Sequence, residues 1–177
     1  MTDDTLRRPP YSFRRAIIWI AIITALLCIP FIAMQLTGEV DWTAGDFVFA
    51  GLIFGAVATG YELAARAAPN GWYRLGAGLA LLIGLFTVWS NLAVGIVGSE
   101  DNAVNQIFFL IPLAAIIGTA FVRGRADGMA RVMGVAALLQ LLTVPTAILW
   151  DQRVIIFLIV LSVGWLASAW CFRRAAR

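Results

Sequence analysis

The sequence predicts an all-α, polytopic membrane protein: six transmembrane helices in one up-and-down antiparallel bundle, with both termini cytoplasmic. Three observations lead there. Of 177 residues, 62% are hydrophobic and only 13% are charged, against about 25% charged in an ordinary soluble domain. The apolar residues fall into six runs, each long enough to cross a bilayer. The basic residues, all of them arginine, flank alternate connections. This composition excludes a disordered chain, a basic nucleic-acid-binding domain and a soluble enzyme of the usual kind.

A transmembrane helix needs roughly 20 mostly apolar residues to cross about 30 Å of hydrocarbon. An N-terminal arm, residues 1–15, leads into the first run, about 16–36. That run exceeds the roughly 7–15 apolar residues of a cleavable leader, and no small-residue cleavage site follows before Glu39, so it is read as a retained span. The second run, about 46–65, ends at Arg66. The third covers about 75–98, and the fourth about 104–122, ending at Arg123. The fifth covers about 130–150. The sixth, about 154–172, runs into a short tail, 173–177. Membrane β-strands would alternate apolar and polar residues; Ile107-Phe108-Phe109-Leu110-Ile111 does not. Short links at Ser99–Ala103 and Asp151–Arg153 make successive helices antiparallel neighbours, and no second domain or internal repeat is expected.

The arginines set the orientation. Arg7, Arg8, Arg14, Arg15, Arg66, Arg74, Arg123, Arg125, Arg131, Arg173, Arg174 and Arg177 fall on one side, and of the 13 basic residues only Arg153 falls on the other. Glu39, Asp41, Asp46, Glu100, Asp101 and Asp151 share the side of Arg153. Positive charge marks the cytoplasmic face. The expected location is therefore a membrane, with the lipid bilayer as surroundings.

Helix contacts have visible candidates in Gly51, Gly55 and Gly60, in Gly76, Gly84, Gly95 and Gly98, and in Gly118, Gly134 and Gly164, because small residues let helix backbones approach closely in lipid. These contacts hold one bundle together or join copies of it, so a homo-oligomer or a partner membrane protein is compatible with the chain, and nucleic acid is not. Pro30, Pro112 and Pro145 lie within runs, and each favours a kink. Cys28 and Cys171 sit at different depths and outside any Cys-x-x-Cys pair, as packing residues do.

Polar residues inside the runs are the functional pointers, since burying them in lipid is costly. Asn91 stands seven residues before Gly98, and Gln140 falls near the middle of the fifth run. Threonine and serine can bond their own helix backbone; these two amides do so less easily and are expected to face the bundle interior. In the second run only fifteen residues separate Asp46 from Glu62, about 22 Å of helix, so one carboxylate lies within the membrane boundary. Glu62 stands one turn before Arg66, an i,i+4 pair. Asp46 completes Thr43-Ala44-Gly45-Asp46, a pattern like a capping box. Of the two carboxylates, Asp46 is the preferred functional candidate.

The most distinctive stretch runs from Trp89 to Asn105, turning through Gly98-Ser99-Glu100-Asp101-Asn102. Gly98 suits a helix end and Ser99, Asp101 or Asn102 a helix start. Glu100, Asp101, Asn102 and Asn105 together also make an oxygen-rich set of the kind that holds a hard cation or a cationic ligand. With its Trp89-Ser90-Asn91 lead, this turn resembles a pattern in a family of bacterial six-span membrane proteins, which are also similar around Asp46-Phe47 and Tyr61-Glu62-Leu63. The resemblance covers most of the chain and implies a fold, with no activity attached.

No catalytic constellation is visible. There is no histidine, hence none of the usual general base, haem or zinc ligand. No Gly-x-Ser-x-Gly elbow occurs. Asp127-Gly128-Met129-Ala130-Arg131 resembles the opening of the CDP-alcohol phosphotransferase motif, but it is one residue short and lacks the downstream aspartates. No cofactor is implied. The expectation is a non-enzymatic accessory or ligand-binding bundle. Its ligand or cation candidates are Asp46, Asn91, Glu100, Asp101, Asn102 and Asn105, and its intramembrane polar residues are Glu62 and Gln140. The alternative is a small solute or cation transporter or channel.

Overall fold

A computed structural model of the chain describes residues 13–99 and 101–177. Among these residues every regular element is helical: α1 (Phe13–Leu36), α2 (Ala44–Ala67), α3 (Gly71–Ala93), α4 (Gln106–Phe121), α5 (Ala126–Leu142), α6 (Val144–Trp150) and α7 (Ile155–Ala175). Single 3-10 turns, Ala103–Asn105 and Gln152–Val154, lead into α4 and α7. Joined to those turns, and with α5 continued into α6, the helices give six segments long and apolar enough to cross a membrane. The six expected spans are present, and they support a multi-pass membrane protein.

Two boundaries differ from the sequence expectation for clear local reasons. The third helix ends at Ala93, because Gly95 (φ 70°) and Gly98 (φ 71°) take left-handed backbone that a helix cannot contain. Asn91 therefore lies in the last turn of α3 and not deep within it. The fifth span is broken at Thr143, since Pro145 has no N–H to give the preceding turn. The hydroxyls of Thr143 and Thr146 take over there, bonding the carbonyls of Gln140 (2.6 Å) and Thr143 (2.5 Å). Pro30 and Pro112, by contrast, lie inside continuous helices α1 and α4.

The chain forms two compact units, Met1–Ala58 and Thr59–Arg177. In the first, α1 is apolar on every side and buries none of its residues, as suits a helix surrounded by lipid. Phe47, in the first turns of α2, meets the rings of Trp42 and Phe31 edge-on, at centroid distances of 5.2 and 6.4 Å.

In the second unit, α7 packs against both α3 and α5. Its Leu158, Trp165 and Phe172 join Phe108, Met133 and Ala136 in one core. Glycine makes these contacts possible. A Cβ on Gly164 would come within 2.5 Å of Ile83, and one on Gly118 within 2.8 Å of Val132. In lipid, where no hydrophobic force drives helices together, such close approach supplies the dispersion that does.

One end of this unit is tied by two long-range bonds. Tyr73 donates its hydroxyl to the carbonyl of Gly124 (2.7 Å), and the Asn70 amide donates to the carbonyl of Ala175 (3.1 Å). The start of α3, the α4–α5 loop and the end of α7 therefore meet. That end, together with the C-terminus of α2, carries Arg66, Arg74, Arg123, Arg125, Arg131, Arg173, Arg174 and Arg177 against only Glu62 and Asp127. At the opposite end Arg153 stands with Asp101 and Asp151.

Candidate functional site

At that opposite end, the chain from Val94 to Ser99 turns out of α3, and Asn105 holds it there. The Asn105 side chain is 2% exposed and all of its hydrogen-bonding capacity goes to the turn. Its Oδ1 accepts from the N–H groups of Ile96 (3.1 Å) and Val97 (2.9 Å), and its Nδ2 donates to the carbonyls of Val97 (3.3 Å) and Ser99 (2.8 Å). A segment with no helical ladder must satisfy its backbone some other way, and this one amide does most of it. Asn102 contributes the next piece: its Oδ1 accepts from Val104 N–H at 3.0 Å and caps the 3-10 turn that leads into α4.

The sequence candidates thus separate. Asn91, Asn102 and Asn105 come together, and Asn91 donates its Nδ2 to the Asn105 carbonyl at 2.9 Å. Asp101 is beside them in sequence but exposed, and Glu100 lies outside the described residues. Among the described residues no group of three or more His, Cys, Asp or Glu side chains is placed to hold a metal ion. Asp46 belongs to the first unit. There it closes a reciprocal cap: its carboxylate accepts from the N–H and the hydroxyl of Thr43, both at 2.7 Å, and its own N–H reaches the Thr43 hydroxyl at 3.4 Å. Glu62 is buried, at 7% exposure, near the end of α2.

Polar atoms left over inside the second unit point elsewhere. Asn91 Oδ1, Gln140 Oε1 and Trp165 Nε1 are buried and lack a protein hydrogen-bond partner. Gln140 is wholly buried, and its Nε2 meets Thr143 Oγ1 only at 3.5 Å. Turning that amide over would exchange the unpaired atom without pairing both. Every other buried serine or threonine hydroxyl that bonds its own helix (Thr87, Thr143, Ser162) is satisfied there.

A Cβ on Gly84 would touch both Pro112 and Trp165 at 3.7 Å, so these two flank one point on α3. The Gly118–Val132 and Val122–Gly128 contacts set the register between α4 and α5. An acceptor on α5 and a donor on α7, both sealed from solvent, stand unpaired inside the second unit. Asn91 Oδ1 lies seven residues beyond Gly84, about 10 Å further along α3. Trp165 is the member that sequence reasoning missed, because an indole in an apolar run reads as packing; only its unpaired N–H sets it apart. No family model matches the chain, and neither the curated proteins nor the solved structures provide a match.

Proposed function

We propose that this chain is a non-enzymatic, multi-pass protein of a bacterial inner membrane, with both termini cytoplasmic, that binds a small uncharged polar molecule inside its second unit. The observation that carries this reading is the pair Gln140 Oε1 and Trp165 Nε1. Leaving a buried donor or acceptor unmade costs about 1–3 kcal/mol each, and the pair invites a guest that both donates and accepts. Neither the amide nor the indole carries a charge to offset that of an ion, which favours a neutral guest. The orientation rests on the arginine-rich end of the second unit. The turn at Asn102 and Asn105 then serves as an outer closure whose amides are used in holding itself.

Acetamide, which carries a donor and an acceptor in two bonds, is a suitable probe. In detergent it should raise the Tm of the full chain and leave that of Gln140→Met unmoved, while Gln140→Met without probe should be about 1 kcal/mol more stable than the parent. Equal shifts in both proteins, or none in the parent, would remove the interior-site reading. Transport is the second reading, favoured by Asn91 Oδ1 as a further polar step along α3. It requires proteoliposomes to reswell in acetamide faster than protein-free vesicles, with that gain lost in Gln140→Met.

A further inference from the structure

The basic end of the second unit carries an aromatic pair that the interior site does not use. Trp72, in the first turn of α3, and Trp170, in the last turns of α7, meet edge to face at 5.2 Å. Both remain about half exposed, at 44% and 48%. The Arg174 guanidinium lies over the Trp170 ring at 5.1 Å from its centroid, the i,i+4 neighbour one turn on. An arginine stacked on an indole keeps its N–H donors at the rim of the plane, positioned for two parallel bonds to a phosphate. The first turn of α3 beside it holds no acidic residue, and its leading N–H groups add positive potential.

A surface of this kind at the ends of two membrane spans is met by lipid headgroups. Indole faces suit the glycerol and upper acyl region, where tryptophan is enriched, and a guanidinium suits the phosphate above it. The excess of arginine over carboxylate around the site selects a lipid that carries net negative charge. We infer that Trp72, Trp170 and Arg174 form a binding site for the phosphate and glycerol of an anionic phospholipid. This site is independent of the interior pair.

Equilibrium binding of phosphatidylglycerol and of phosphatidylcholine with identical chains, to the purified full chain in mild detergent, tests it. The parent should hold phosphatidylglycerol about tenfold more tightly, the worth of one good charge-assisted contact. Arg174→Gln and Trp170→Leu should lose that preference. Arg177→Gln removes the same charge beyond the end of α7, nearly a turn further from Trp170 than Arg174 is, and should keep it. Arg174→Gln alters an exposed side chain at a helix end, so its unchanged helical circular dichroism separates lost binding from lost folding. Equal affinity for the two lipids, or equal losses in Arg174→Gln and Arg177→Gln, would overturn the site in favour of no anion selectivity or of diffuse attraction. Displacement of phosphatidylglycerol by millimolar inorganic phosphate would overturn the lipid assignment in favour of a free-anion site; the expected result is no displacement.

Discussion

Asn105 shows how much one side chain can organise. Its amide replaces the missing helical ladder for Ile96, Val97 and Ser99, so Asn105→Ala leaves two buried N–H groups and the Val97 carbonyl to find other partners, while the Ser99 carbonyl keeps the Asn102 N–H. The expected cost is about 2–4 kcal/mol, read as a fall in unfolding midpoint in detergent. Asn102→Ala loses a single cap and should cost about 1 kcal/mol. The identity of these residues was legible in the sequence, where the turn stood out as carrying more amides and carboxylates than capping needs. Their division of labour was not. Asn and Asp look alike as ligands in a linear string; only the fold shows that Asn105 points inward and Asp101 outward. Trp165 was hidden for the opposite reason, since its chemistry depends on what its neighbours fail to offer.

At the scale of elements, glycine positions separate into those that let helices touch and those that do not. Gly164→Ala drives a methyl into Ile83 and should destabilise the second unit by about 1–3 kcal/mol. Gly134 lies in α5 with nothing within 4 Å of where a Cβ would go, so Gly134→Ala should gain up to about 1 kcal/mol through helix propensity alone. Thermal unfolding of the two variants side by side checks both signs. The sequence named both glycines as contact candidates and could not rank them, because spacing identifies a stripe but not the residue opposite it. Helix existence was legible from run length and flanking arginines. Helix ends were less so: Gly95 and Gly98 read as small residues within a third span, although their left-handed backbone ends it, and the Thr143 break was visible only as a proline expected to bend one continuous helix.

For the molecule as a whole, the decisive pattern is charge sorting. In the second unit the arginine-rich end is tied by Tyr73 and Asn70, and Asp101 and Asp151 stand at the other. The proposed topology then has a direct check. A C-terminal green fluorescent protein fusion should fluoresce and a C-terminal alkaline phosphatase fusion should be inactive, while phosphatase inserted after Asp101 should be active; the reverse pattern would invert the protein. The placement of α7 also bears on how the protein is made. The helix that α3 and α5 both pack against is synthesised after both of them, and the Asn70 tie closes across 105 residues of chain. Until α7 inserts, the faces of α3 and α5 that will bury Trp165 and Phe172 have no partner. A nascent chain halted at Trp150 is therefore an incomplete assembly, and synthesis of α7 is the step that lets the unit close its core.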